Sequence, residues 1–430
     1  MAARPLNIYE RTGQMEPIIF HIDVNSAFLS WTALDLLEAG EATDLRQIPS
    51  VIGGDQTKRH GVVLAKSVPA RAYGIQTGEP IAAALRKCPG LTLASPDHKM
   101  YAARSRQLMD YLSSLCPLVE QVSIDECYMD FTSIAHLYSS WEEAAYEIKD
   151  SIYERFHFTV NIGISNRKVL AKMASDFEKP NRVHTLFTHQ VREKMWPLPI
   201  NRLYMCGHSS VNTLRKLEIL TIGDLAKANP EIIAAHLKSH GILLHNYANG
   251  IDTSVVESAP YIAKGIGNST TLRTDIGSRE EALPVFLGLA ESVASRLRRS
   301  GQLALMVSCE IKYSTFRSVS HQTTLSSPTD SADVIYQTAC SLFDELWNRS
   351  PVRLLGIRTS RLTDHSEPIQ MNLFDLAKQK TTDAHLLEQK SPEFDTARQQ
   401  KLNQALDKIK HKYGDSAVIR GSLLKEKKPF

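Results

Sequence analysis

Phe20-His21-Ile22-Asp23-Val24-Asn25-Ser26 is an apolar run that ends on a carboxylate, and Ser123-Ile124-Asp125-Glu126-Cys127-Tyr128-Met129-Asp130 repeats the pattern with two adjacent acids. Apolar β-formers leading into acids read as buried strands that deliver carboxylates to one edge of a sheet. Three carboxylates brought together from two such strands repel one another unless cations sit between them, which makes Asp23, Asp125 and Glu126 a candidate site for two Mg²⁺ ions. Paired metals point towards phosphoryl chemistry. An acid at a strand end is also commonly a cap or a turn residue. On a straight strand Asp125 and Glu126 would face opposite ways, so both reach one site only at a bend or hairpin tip. Spacing alone leaves that choice open.

Outward from these segments, 18–22 reads as a strand and 26–37 as a helix that ends near Gly40. Strands around 50–52 and 62–65 lead to a helix over 81–87 that Pro89-Gly90 stops. A helix over 100–115, the acidic hairpin, a helix over 141–156, a strand over 159–164 and a helix over 167–177 complete an order that a ferredoxin-like β/α unit requires. Past Pro197-Leu198-Pro199 the pattern turns to short helices at 210–217, 222–228 and 230–237. From residue 264 to about 362 it becomes strand-helix-strand-strand-helix-strand, with alternation over 303–314 and 353–362 and helices at 280–300 and 331–348. Leu402, Leu406 and Ile409 are spaced for an amphipathic helix within 396–413.

In order along the chain, Asp23, Gly53-Gly54, Gly61-Val62-Val63, Pro69-Ala70-Arg71-Ala72-Tyr73-Gly74-Ile75, Ser123-Ile124-Asp125-Glu126, Asn161-Ile162-Gly163-Ile164-Ser165, Leu170-Ala171-Lys172-Met173-Ala174-Ser175 and Lys179-Pro180-Asn181 resemble the motifs of the Y-family, or translesion, DNA polymerases of the bacterial DNA polymerase IV type. The resemblance implies an α+β multidomain fold, a right-hand polymerase with a ferredoxin-like palm, small fingers, a helical thumb and an α/β little finger. On that plan the lead-in is 1–16, the palm 17–33 and 94–186, the fingers 34–93, the thumb 187–257, a linker 258–266, the little finger 267–363 and a tail 364–430. It further implies low-fidelity, template-directed synthesis past damaged bases, with primer-template DNA and deoxynucleoside triphosphates as ligands. A non-catalytic DNA- and clamp-binding accessory subunit is the alternative; a two-metal nuclease or cyclase is disfavoured by the thumb and little finger.

Carried over residue by residue, the resemblance makes Asp23, Asp125 and Glu126 the catalytic acids and, with the carbonyl of Val24, the metal ligands. Arg71 and Lys179 become triphosphate clamps, the first a planar fork and the second a point charge. Phe28 becomes the steric gate that leaves no room for a ribose 2′-hydroxyl. Arg296, Arg298, Arg299, Lys312, Arg317 and Arg358, with Arg353 and Arg361, are candidates for following a DNA phosphate backbone. Gln370-Met371-Asn372-Leu373-Phe374 is similar to the peptide by which bacterial polymerases bind the sliding clamp (β subunit), with Gln370 hydrogen bonding and Leu373 and Phe374 filling an apolar pocket. The chain departs from the pattern at Asn25, Ala27, Ala65 and Val68, and Met205-Cys206-Gly207-His208 keeps one glycine where the thumb hairpin usually has two. Ala65 and Val68 remove two hydroxyl donors from the triphosphate cradle, each worth ~0.5–1.5 kcal/mol.

Composition narrows the setting. A formal charge of +3 over 430 residues is mild, so any DNA-binding surface must come from local clustering. Six cysteines without a CxxC pair argue against a zinc site and suit a reducing cytoplasm. No apolar stretch reaches the roughly 18 residues of a membrane span, and no signal peptide is recognised. A cytoplasmic monomer with no membrane partner is expected.

Overall fold

A computed structural model describes residues 16–54, 61–259, 263–364 and parts of 402–418. The lead-in up to residue 15 and the segment containing Gln370, Leu373 and Phe374 lie outside the described residues. In chain order the elements are β1 (Ile19–Val24), α1 (Ala27–Glu38), β2 (Ser50–Gly53), β3 (Val63–Lys66), α2 (Val68–Ala72), α3 (Ile81–Lys87), β4 (Thr92–Ala94), α4 (His98–Leu115), β5 (Val119–Gln121), β6 (Glu126–Asp130), α5 (Trp141–Phe156), β7 (Val160–Ser165), α6 (Lys168–Ser175) and β8 (Val183–Thr185). They continue as α7 (His208–Lys216), α8 (Ile222–Lys227), α9 (Pro230–Ala248), β9 (Gly265–Ile276), α10 (Arg279–Arg299), β10 (Gln302–Tyr313), β11 (Ser318–Thr329), α11 (Ala332–Leu346) and β12 (Val352–Asp364). The chain divides into two compact units, the first ending at Pro260 and the second formed mainly by residues 261–430.

The first unit is built on a five-stranded sheet of order β5-β6-β1-β7-β8. Alternation along β1 sends Phe20, Ile22 and Val24 into a core with Leu108 and Leu112 of α4 and Ile148 and Ile152 of α5. The residues between them, Ile19, His21 and Asp23, face α6. Helix α6 lies flat on that face because Gly163 has no side chain: a Cβ there would stand 2.0 Å from the Ala171 carbonyl oxygen and 2.4 Å from the Ser175 nitrogen. The other side of α6 presents Val169, Leu170 and Met173 to a further core with Leu186, Met195 and Leu203. Two short parallel pairings, β7 with β8 and β2 with β4, were not anticipated, since three-residue strands carry no readable alternation. The small sheet β3-β2-β4 closes over α2 and α3 around Val51, Val63, Ile75 and Ile81.

Helix α9 runs to Ala248, past the expected end at 237, through a kink where Lys238 takes φ 53 and ψ −142. Preceding it, Thr221 caps α8 and Asp224 reciprocates, a capping box that fixes the better-preserved hairpin turn.

The second unit is a four-stranded antiparallel sheet, β11-β10-β12-β9, with α10 and α11 on one face. Val307, Cys309 and Ile311 of β10 and Leu355 and Ile357 of β12 meet Phe286, Val293 and Phe343 of the helices. Strand β9 starts at Gly265, which pairs with Ser360, next to residue 264 where the sequence pattern turns to strands.

Candidate active site

Asp23 and Glu126 are cross-strand partners on the β1–β6 ladder. Asp125 sits at the tip of the β5–β6 hairpin, where Val122 and Ser123 both donate their amides to the Glu126 carbonyl. The turn is what lets consecutive acids serve one site, and the Asp125 carbonyl accepts the Val24 amide at 3.0 Å, tying the hairpin to the end of β1.

Two lysines reach the acids. Lys172, on α6, stands 2.5 Å from Glu126 Oε2 and 3.3 Å from Asp23 Oδ2, and Lys179 Nζ is 2.8 Å from Asp23 Oδ1 and 2.8 Å from Asp176 Oδ1. His21 donates or accepts at Ser175 Oγ through Nδ1 at 2.8 Å, and its Nε2 comes to 3.3 Å from Glu126 Oε2. Burial lowers the His21 pKa, and the ring is neutral at pH 7. The adjacent His21 ring and then the Lys172 ammonium overcome burial and hold the Glu126 carboxyl down to about 2. Asp125 moves the other way: burial first, then the charges of Asp23 and Glu126, raise it.

That asymmetry bears on a metal. Among the described residues no three acid, histidine or cysteine side chains already converge as a cage; Asp125 accepts a hydrogen bond from Ser123 Oγ at 2.6 Å. The donor chemistry nevertheless fits a hard divalent cation, because every candidate ligand is oxygen. Four carboxylates (Asp23, Asp125, Glu126, Asp176) meet two ammoniums, which leaves an excess of negative charge, and the two lysines pair with Asp23, Glu126 and Asp176 rather than with Asp125.

Phe28 sits in an aromatic cluster beside the acids' sheet. Its ring stacks on Tyr101 at 4.5 Å and 12°, with His98 edge-on at 6.2 Å. The fully buried Tyr101 is anchored by a 2.7 Å hydrogen bond between its hydroxyl and Thr32. Arg71 and Lys179 line one cavity of about 400 Å³ together with Arg202, Asn201, Phe177 and Asp176. The Lys179 loop is held from Asn25, whose Oδ1 accepts from the Asn181 amide at 2.8 Å and from Thr159 Oγ1 at 2.9 Å, while its Nδ2 donates to Asn161 Oδ1 at 3.1 Å. Asn161 spends its own amide on the Ser175 and Glu178 carbonyls, so the residue at 25 must supply a donor. The departure at Asn25 is therefore matched by its surroundings. Ala65 is buried, and Val68 opens α2 at 57% exposure behind Ser67, whose hydroxyl caps that helix.

Sequence reasoning missed Lys172, His21, Tyr101 and Arg202 as site residues. Lys172 stands inside a recognisable motif, but only the fold of α6 onto β1 shows what it touches.

In the second unit the basic candidates separate. Lys312 and Arg358 rise from the sheet face opposite the helices, with Glu310 and Ser308 between them, and Arg317 is exposed at the β10–β11 turn. Lys312 and Arg353 lie 5.3 and 4.7 Å from the Phe316 ring. On α10, Arg296 donates to the Gly267 carbonyl and Arg299 is exposed, whereas Arg298 is committed to Asp407 at 2.6 Å and to the Asp330 carbonyl at 3.0 Å. A phosphate contact by Arg298 would require that half-buried pair to break.

Residues 22–176 match the impB/mucB/samB family, and residues 263–373 match that family's C-terminal domain. The fold is shared with a solved chimeric Y-family DNA polymerase, at a TM-score of 0.71 over 81% of this chain and 100% of that one, with 22% identity. It is a right-hand polymerase fold with palm, small fingers, helical thumb and little finger. The chain is 42% identical over 412 residues to the DNA polymerase IV of Clostridium acetobutylicum, covering 96% of this chain and 99% of the relative. It is 36% identical over 412 residues to the DNA polymerase IV 1 of Bacillus subtilis, covering 95% and 94%. The chain belongs to the bacterial Y-family DNA polymerases, and it is a DNA-directed DNA polymerase of the translesion class. No helix among the described residues is long and apolar enough to cross a membrane.

Proposed function

We propose that this polymerase extends primers opposite damaged template bases with low fidelity, by nucleotidyl transfer at Asp23, Asp125 and Glu126, and that a sliding clamp recruits it through Gln370, Leu373 and Phe374. The observation that carries the reading is the meeting of Asp23 and Glu126 across one ladder, with Asp125 on the adjoining hairpin tip. Asp23, Asp125, Glu126 and the Val24 carbonyl would hold two Mg²⁺ ions. Bound there, the metal supplies a lowered pKa at the primer 3′-hydroxyl and neutralises charge on the leaving pyrophosphate.

The chain's own residues do the rest. Arg71 and Lys179 face one cavity and bind the triphosphate. Asn25 fixes the loop that carries Lys179. Phe28, backed by Tyr101, presents a rigid ring under the sugar. Lys312, Arg317 and Arg358 with Arg296 and Arg299 bind the DNA backbone. We assign the palm to 17–33 and 94–186, the fingers to 34–93, the thumb to 187–257 and the little finger to 267–363; the core of the small sheet supports the fingers, while the helical core also takes in Val169, Leu170 and Met173 of α6.

Primer extension on templates bearing an abasic site or a bulky adduct tests the reading. Insertion opposite the lesion is expected, with misinsertion on undamaged template well above that of a proofreading enzyme. Synthesis that stops one nucleotide before every lesion tested overturns the translesion reading.

A further inference from the structure

Helix α6 carries Lys172 to the catalytic acids and Ser175 to His21, yet its own N-cap residue, Arg167, makes no side-chain cap. An eight-residue helix cannot leave its first turn unsatisfied at little cost, since the orphan amides there need acceptors. The acceptor comes from 83 residues downstream: Asp252 Oδ2 takes the Val169 amide at 2.9 Å. Asp252 is itself fixed, its Oδ1 accepting from the Ser254 amide at 2.9 Å and from Ser254 Oγ at 2.7 Å.

The next stretch of chain is strapped to the same helix and sheet. Lys168, the first residue of α6, donates to the Val255 carbonyl at 3.1 Å and pairs with Glu120 at 2.6 Å. Glu120 in turn accepts the Glu257 amide at 2.8 Å. Val256 packs into a small core with Ile19, Tyr128 and Ala171, directly beneath α6. The Asp252 and Lys168 contacts hold the residues after α9 against the helix on which Lys172 is mounted, and Glu120 ties the same stretch to β5.

We infer that Asp252 is a positioning residue for nucleotidyl transfer: it supplies the missing cap of α6 from the segment after the thumb, and so sets where Lys172 meets Asp23 and Glu126. The inference rests on the proposed role of those two acids. Release of the 252–257 strap frees the start of α6 and lets the Lys172 ammonium wander from the carboxylates.

The test compares Asp252→Ala with Asp252→Asn, which keeps an oxygen acceptor and caps about as well as aspartate. In full-length protein, amide hydrogen exchange over 169–172 should speed up in Asp252→Ala, stay near wild type in Asp252→Asn, and leave β7 unchanged in both. In single-turnover addition of one nucleotide, Asp252→Ala should slow the step about fivefold at saturating nucleotide, with primer-template affinity unaltered, and Asp252→Asn should restore it. In a Lys172→Met background the Asp252→Ala change should have no further effect on that step. A merely structural cap would give the same loss with or without Lys172, and that result overturns the inference, as does unchanged exchange over 169–172. If the wild-type protein extends no primer, the polymerase mechanism fails by itself, while the exchange comparison still decides the cap.

Discussion

Asp23 and Glu126 face each other across the β1–β6 ladder and share one Lys172 ammonium, 3.3 Å from the first and 2.5 Å from the second. Like charges delivered to one edge by separate strands are thereby held together before any cation arrives. The arrangement leaves Glu126 with a carboxyl held down to about 2 and His21 neutral.

These two groups make stability depend on pH. The folded Glu126 pKa lies below its ordinary 4.5, so its contribution to stability is present above about 4.5 and is lost as pH falls towards 2. His21 is depressed below its ordinary 6.5, so the unfolded chain takes up that proton first and stability begins to fall once pH drops below about 6.5. Thermal melting of metal-free protein from pH 7.5 to 3.5 should show the midpoint declining from about pH 6.5, with a second decline below about 4.5. In Lys172→Met the lower decline should shrink, because Glu126 without the ammonium returns towards its ordinary pKa and less stability is left to lose.

Phe28 gives a test of sugar selection. Its ring is braced by Tyr101, so it cannot swing aside for a 2′-hydroxyl. Truncation to alanine should raise ribonucleotide incorporation by about a hundredfold or more relative to deoxynucleotide incorporation, on the scale of a lost steric clash. Competitive insertion assays read the ratio, and unchanged discrimination would assign Phe28 to packing alone.

At Asn25 the expected change is in nucleotide binding. Asn25→Asp replaces a donor with an oxygen facing Asn161 Oδ1 at 3.1 Å, a buried mismatch costing about 1–3 kcal/mol. The loop carrying Lys179 should shift, raising the nucleotide KM by roughly tenfold with a smaller change in kcat. Equal kinetics for the two side chains would show that the loop is held elsewhere.

For recruitment, replacing Leu373 and Phe374 together with alanine should abolish stimulation by a loaded sliding clamp while single-nucleotide addition on free DNA continues unchanged. Tethering raises the effective concentration of enzyme at the primer end without touching the active site. Full stimulation of the double variant, or collapse of the basal rate, contradicts a docking peptide.

What the sequence made legible was local or periodic. The apolar run into Asp23, the period-3.6 helices and the long strands of the second unit could be read directly, and the acids were placed together because the motif order implied it. Lys172, Tyr101 and Asn25 acquired their roles only through contacts spanning 46 residues for Lys172 to Glu126, 69 for Thr32 to Tyr101 and 156 for Asn25 to Asn181, which no spacing rule encodes. Strands β4 and β8 are three residues each, too short for alternation to register. The extension of α9 was hidden because Lys238 adopts a backbone conformation that no lysine propensity signals.

The most direct test of the central claim is Asp125→Ala. Asp125 sits at the hairpin tip, and the basic residues proposed to hold the DNA backbone belong to the second unit, so its removal should leave primer-template affinity nearly unaltered while taking away one of the three acids on which the transfer depends. Single-turnover extension of an undamaged primer, measured beside equilibrium DNA binding, should show a rate lowered by about a thousandfold or more with Kd within about twofold of wild type. Extension within tenfold of wild type, a barrier change below ~1.4 kcal/mol, would contradict the account.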